Sequence, residues 1–123
     1  MATSRQQAAK QCVAVFDTTF FKALCEPARI AVLQELVLLG RGDIAAIAER
    51  LPQDRSVITR HLQQLAAAHI VTAEKQGRHV FYRVDATAIA KRLESILETT
   101  RLLEAAMAAS GLINPPRGKR ARS

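Results

Sequence analysis

Apolar residues recur at helical spacing along most of this chain, and the period breaks in one place. Residues 5–15 (RQQAAKQCVAV) can form a first helix. Asp17, followed by TTFFKAL, reads as the start of a second, because a short acidic side chain accepts the unpaired amide hydrogens of a first turn. Pro27 suits the first turn of a third helix, which runs to Leu39 with Ile30, Leu33, Leu36 and Val37 on one side. Gly40-Arg41-Gly42 ends it. Asp43 is placed to cap IAAIAERL, in which Ile44, Ile47, Ala48 and Leu51 share a face, and Pro52 stops that segment. Asp54 is placed to cap a further helix that runs to about Ala68.

After Ala68 the period changes from helical to alternating. Ile70 to Lys75 and Arg78 to Val84 are β-rich segments on either side of Gln76-Gly77. In HVFYRV, Val80 and Tyr82 face one way and His79, Phe81 and Arg83 the other, which predicts a β-hairpin with a basic tip. From Thr87 to about Ser110 the helical period returns. Ile89, Leu93, Ile96, Leu97, Thr100, Leu103 and Met107 form a stripe close to a heptad seam. Residues 1–110 are thus expected to form one folded domain. Residues 111–123, ending NPPRGKRARS, read as a disordered basic tail.

Composition narrows the class. At 123 residues the chain can bury a core without disulfides or metals. It has no Trp and one Tyr, with few Gly and Pro, a mix that favours a mainly α protein over a sandwich or barrel. The apolar runs IAVL and LVLL are far short of a membrane span. The N-terminus MATSRQQAAKQ lacks a signal-peptide core, so a cytoplasmic protein is expected, with Cys12 and Cys25 as reduced thiols. The net charge of +7 is unevenly placed. Residues 52–84 carry five Lys or Arg against two Asp or Glu, and the tail adds Arg117, Lys119, Arg120 and Arg122. A basic chain can meet nucleic acid, an anionic membrane or an acidic protein. No basic amphipathic helix with an aromatic edge supports the membrane.

The stretch DRSVITRHLQQLAAAHIV brings these observations together. Ile58, Leu62 and Leu65 make an apolar stripe that can hold this helix against the one before it. Arg55, Ser56, Thr59, Arg60 and Gln63 lie opposite. Two helices joined by a four-residue turn and followed by a hairpin make a winged helix-turn-helix. In that arrangement the outward face can enter the DNA major groove, whose base edges present donor and acceptor patterns. Arg55 and Arg60 can reach guanine or phosphate, Gln63 can pair with adenine, and Ser56 and Thr59 can bond to either. Lys75, Arg78 and His79 on the hairpin would meet a neighbouring groove or backbone. His61 is read as packing against, or touching, the DNA backbone, and Tyr82 as packing under the wing. A polar helix face is commonly just solvated. Here the hairpin, its basic tip and the charge placement favour DNA contact.

The sequence resembles the arsenic-repressor (ArsR/SmtB) family of bacterial transcriptional repressors over about residues 18 to 100. FFKALCEPARIAVLQEL is similar to the family's "LadPtRl.IL..L" helix. IAAIAERL and DRSVITRHLQQL follow in order, and GRHVFYRVD is similar to its "GR.vyY.l" wing. The resemblance implies a homodimer paired through the first and last helices. It also implies a palindromic operator and release of that operator when an inducer binds. The stripe from Ile89 to Met107 is independently what a dimer seam would need. His69 stands where the family commonly has Gly, and Asp54 replaces the usual Ser cap.

The inducer is less legible. Where the family's thiol metal site would lie, GDIAAIAER has no cysteine. The last helix has no His, and Asp85 matches at most one ligand of the family's other site. Both standard metal sites are therefore absent. Cys12 and Cys25 admit three readings: small packed hydrophobes, a redox or reactive-sulfur switch, or ligands for a thiophilic metal. No Gly-rich phosphate loop, HExxH, GxSxG or CxxC is present, which argues against an enzyme. The other reading of the fold is a protein-interaction module without specific DNA binding.

Overall fold

The computed structural model describes residues 4–16 and 18–115. The helix start expected at Asp17 and the basic residues Arg117, Lys119, Arg120 and Arg122 lie outside the described residues. Along the chain run α1 (Arg5–Phe16), α2 (Thr19–Ala23), α3 (Pro27–Leu39), β1 (Gly42–Asp43) and α4 (Ile44–Ala48). They are followed by α5 (Arg55–Ala67), β2 (Val71–Gln76), β3 (His79–Val84) and α6 (Ala86–Ala109). By contacts the described residues divide into two compact units, residues 18–91 and residues 4–16 with 92–115.

The core of the 18–91 unit is built around α5. Ile58, Leu62 and Leu65 are fully buried, as the sequence stripe predicts. They pack with Val32 and Leu36 of α3, Ile47 of α4, Phe20 and Ala23 of α2, and Ile70 and Val71 at the entry to β2, and α5 contacts all four of these elements. Truncating a buried leucine of this kind to alanine typically costs about 2–5 kcal/mol. The expected apolar face of α3 is corrected. Val32 and Leu36 are its buried positions, whereas Ile30 and Val37 are 37% and 59% exposed. Leucine, isoleucine and valine occur all round this helix, so hydrophobicity alone does not choose its inner face.

Local chemistry sets the helix ends. Glu26 accepts from the amide of Ala28, with Pro27 at the first helical position of α3. The Asp43 carboxylate accepts from the Ala46 amide at 2.9 Å and starts α4. This helix ends at Ala48, earlier than IAAIAERL suggests. Asp54 occupies the N-cap position of α5, but its side chain makes no cap bond; its carbonyl accepts from Val57 and Ile58 instead. The C-terminus of α5 is a Schellman motif. The His69 amide donates to the Ala66 carbonyl and the Ile70 amide to the Leu65 carbonyl, both at 3.0 Å. His69 itself sits at φ 61°.

The expected hairpin is part of a three-stranded antiparallel sheet in the order β1-β3-β2. β2 and β3 pair from Val71↔Val84 to Gln76↔His79, which leaves Gly77 and Arg78 as the loop. Gly77 lies at φ 61°, the sign that the first position of a tight hairpin loop requires. The extra strand is only Gly42 and Asp43, opposite Tyr82 and Phe81. A Cβ on Gly42 would stand 3.2 Å from Leu39 Cδ1, so that side chain would have to give by a few tenths of an ångström, and 3.6 Å from Ile47 Cγ1, an ordinary contact. Tyr82 is buried on the inner face of the sheet, as expected, and burial raises its pKa.

In the other unit, Ala8 and Cys12 of α1 and Ile96 and Ala106 of α6 are buried. Val13, Phe16, Leu93, Leu97 and Leu102 are each at least 43% exposed. α6 ends in another Schellman motif at Gly111, φ 76°, where the expected tail begins.

Two consequences concern histidines. His69 adopts a left-handed conformation that costs a non-glycine residue roughly 1–2 kcal/mol. His69→Gly is therefore expected to raise stability by about 1 kcal/mol, read as a higher urea midpoint with an unchanged m-value. His61 is 9% exposed, and its Nδ1 has no hydrogen-bond partner. Burial lowers its pKa first, the nearby Arg29 and Arg60 lower it further, and Glu26 opposes them. As pH falls below the ordinary histidine value of 6.5, the unfolded chain takes up this proton before the folded one. Its contribution to stability is full above that pH and is lost as pH falls through it. The loss of urea midpoint between about pH 7.5 and about pH 5 should thus be smaller in His61→Gln than in the parent chain.

Candidate nucleic-acid interface

The candidate surface lies on the side of α5 away from its buried stripe. Because α5 advances 3.6 residues per turn, Ser56, Thr59, Arg60 and Gln63 fall on one face when Ile58, Leu62 and Leu65 fall on the other; Arg55, seven residues before Leu62, borders the stripe and is exposed because it opens the helix. Arg55, Ser56, Arg60 and Gln63 are exposed. Thr59 is half-buried and donates its hydroxyl hydrogen to the Arg55 carbonyl at 2.7 Å, so toward a ligand it can only accept. His61 is a correction to the expected set. It is buried on the inner side, within electrostatic reach of Glu26 and Arg29, and does not share the outward face.

The wing adds a second set of donors. Lys75 lies near the end of β2 opposite Val80, and Arg78 occupies the loop. Both are exposed. Among the described residues, none of Arg55, Arg60, Lys75 and Arg78 is held in an ion pair. His79 is exposed but differently placed, with its Nδ1 3.3 Å from the Asp43 carboxylate that also caps α4. The imidazole therefore ties the wing to the start of α4 in addition to facing solvent.

Two further cations lie on the outer face of the sheet and were not in the expected set. Arg83 is exposed on the outer face of the sheet, which the alternation of HVFYRV already shows. Arg41 lies 3.9 Å over the Phe81 ring and 3.6 Å from the Glu74 carboxylate, held by a cation–π contact and a surface ion pair. Its position depends on β1 lying beside β3, and a two-residue strand leaves no period to detect.

Chemically, the surface offers forked guanidinium donors, a primary amide and hydroxyls on a single helix. Guanidinium groups match the paired acceptors of guanine, and a glutamine amide matches the donor–acceptor pair of adenine. The wing offers two unpaired cations suited to phosphate.

The candidate sensing residues are placed apart in character. Cys12 is buried in α1, and Cys25 is exposed just before the N-cap of α3. The Cys25 thiol donates to the Phe21 carbonyl at 3.1 Å. Asp85 accepts from the Ala88 amide at 3.0 Å, so it caps the first turn of α6. Among the described residues, no three or more His, Cys, Asp or Glu side chains cluster as a metal site. No helix among them is long and apolar enough to cross a membrane.

Comparison with known proteins agrees with this geometry. No family model matches the chain. Over 63 residues it is 35% identical to the HTH-type transcriptional repressor SmtB of Mycobacterium tuberculosis, a match that covers 51% of this chain and 46% of that protein. Over 64 residues it is 34% identical to an HTH-type transcriptional regulator of Methanocaldococcus jannaschii, covering 52% of this chain and 72% of that one. The match thus spans less than half of the SmtB repressor's length but most of the archaeal regulator. Among solved structures, an ArsR-like transcriptional regulator from Rhodococcus sp. RHA1 superposes with a TM-score of 0.65 at 25% identity, covering 89% of this chain and 97% of that one. With its helix-turn-helix, its wing and these relatives, the chain belongs to the ArsR/SmtB family of winged helix-turn-helix transcriptional regulators.

Proposed function

We propose that this protein is a sequence-specific DNA-binding transcriptional repressor that acts in the cytoplasm as a homodimer on a palindromic operator. One observation carries the reading. The exposed face of α5 holds Arg55, Ser56, Arg60 and Gln63 on a helix fixed from behind by fully buried side chains. A rigid helix of this kind presents base-reading groups with little ordering cost. The wing cations Lys75 and Arg78 supply sequence-independent attraction. The exposed apolar residues of α1 and α6, Val13, Phe16, Leu93, Leu97 and Leu102, are what a second copy would cover. No catalytic step belongs to this reading.

Release by an inducer is part of the proposal. Cys25 is the accessible thiol for a redox, reactive-sulfur or thiophilic-metal signal, with buried Cys12 as the second candidate. The deciding experiment titrates the reduced protein, at fixed salt, onto its own upstream DNA and onto an unrelated duplex, then repeats after mild thiol oxidation. Preference for its own DNA supports the repressor. Equal, weak binding to both duplexes would instead assign the fold to protein interaction. Oxidation that leaves the preference intact, or that acts equally on the Cys12→Ser and Cys25→Ser chains, would remove the thiols from the mechanism.

The two sets of cations are expected to fail differently. Arg60→Ala should cost about 1–3 kcal/mol at the operator and relax base preference. Lys75→Ala and Arg78→Ala should weaken all duplexes alike, each lowering the slope of log K against log salt by about 0.9. Salt titrations of the three variants check this, and binding unchanged in all three would place the docking surface elsewhere.

A further inference from the structure

The part of the wing that carries Lys75 and Arg78 has little behind it. Every residue of β2 after Val71 is exposed, so this edge strand is held by its pairing with β3. β1 reaches along β3 only at Tyr82 and Phe81. The pairs Lys75↔Val80 and Gln76↔His79, and the loop that joins them, therefore project as a two-stranded ribbon. On the inner side Tyr82 is buried, but Val80 is only half-buried. A two-stranded hairpin without a core behind it is marginally stable in water. Its cations arrive at fixed places on a partner only if its direction is held.

Arg41 crosses the sheet at the last three-stranded row. Asp43, Phe81 and Glu74 stand side by side in that row, one on each strand. The Arg41 guanidinium lies 3.9 Å over the ring of Phe81 on the middle strand and 3.6 Å from the carboxylate of Glu74 on the edge strand. One side chain thus runs from the segment before β1, over β3, to β2. A guanidinium stacked on an aromatic face lies flat and keeps its edge free to pair. Toward the loop, the His79 ring lies 6.1 Å from that of Phe81 and 3.3 Å from the Asp43 carboxylate, which continues the same outer face. Each contact is exposed and modest alone. Together they act at the row where the ribbon leaves the sheet.

We propose that Arg41 is a positioning residue for DNA binding. With Phe81 and Glu74 it fixes the direction of the ribbon, so that Lys75 and Arg78 meet the phosphate backbone together. The inference deepens the repressor reading and rests on it, since it assigns to that reading a residue that acts through two others. Arg41 turns its charge toward Glu74 and the Phe81 ring, and its contribution to affinity is to lower the ordering cost of the wing. A ribbon free to swing would place one cation or the other on a phosphate, and seldom both.

The test uses the full chain and the variant Phe81→Leu, which removes the ring and changes no charge. Without DNA, NMR order parameters of the Gln76, Gly77 and Arg78 amides should fall in this variant while the urea midpoint stays near that of the parent. Arg41→Ala, which alters an exposed side chain, gives the same reading should Phe81→Leu fail to fold. In salt-matched titrations, each substitution should weaken the upstream DNA and an unrelated duplex alike, by about fivefold. The two together should cost no more than either alone, because they break one contact. In a chain that already carries Lys75→Ala and Arg78→Ala, Phe81→Leu should cost less than about twofold, since no wing cation is left to position. Unchanged order parameters, unchanged binding in Phe81→Leu, or an equal loss in the Lys75→Ala/Arg78→Ala chain would overturn the proposal. A loss in Arg41→Ala that Phe81→Leu does not reproduce would overturn it as well and give Arg41 a phosphate contact of its own. A parent chain without salt-dependent duplex binding would instead overturn the DNA-binding reading, and a fall in the order parameters would then describe only how the ribbon is held.

Discussion

Burial of the Ile58, Leu62 and Leu65 stripe is the contact on which the rest of the 18–91 unit depends. These side chains are fully buried, and their helix touches α2, α3, α4 and β2. Each large aliphatic side chain removed from water contributes roughly 1.5–3 kcal/mol, so this one stripe supplies a large part of a small unit's stability. It also fixes the rotation of α5 about its own axis. Turning α5 by one residue, 100°, would bring Thr59 or Gln63 into the core and expose leucine. The packing that stabilises the unit is therefore also what aims Ser56, Arg60 and Gln63 outward.

The wing is positioned by a smaller constraint. Gly42 and Asp43 form a strand of two residues, yet they join α3, α4 and the sheet. The backbone at Gly42 lies close to the Leu39 and Ile47 side chains. Asp43 then divides its carboxylate between the Ala46 amide and His79. The second contact is exposed and contributes little energy, but it gives the wing, next to its loop, a fixed partner. On the outer sheet face, Arg41 covers Phe81. On the wing, Lys75 and Arg78 are thus left without an ion pair, whereas Arg41 and His79 serve local structure.

His61 was expected to pack against or touch the DNA backbone, yet helical spacing already places it on the inner side: it lies three residues after Ile58 and four before Leu65. Burial against α3, where Arg29 and Glu26 approach it, agrees with that placement. An imidazole is apolar enough to be buried there, and the neighbouring helix closes over it. α3 presents a different problem, with apolar residues. When leucine, isoleucine and valine surround a helix, the inward positions are set by which neighbours exist, and here these are Val32 and Leu36.

Sequence by itself determined the succession of elements, the buried stripe of α5 and the outward set opposite it. It also determined the hairpin with its Gly77 loop, the long last helix, and the caps at Pro27 and Asp43. Each of these is written in a local period or in the conformational preference of one residue, which needs no distant partner. The left-handed residue after α5, His69, was marked only by the resemblance, which has glycine there. Tertiary structure alone decided the inner face of α3, the third strand at Gly42–Asp43 and the stacking of Arg41 on Phe81. These features join residues far apart in the chain, and a pairing of that kind leaves no period in either partner. It exists only once the hydrophobic core has brought the two segments together.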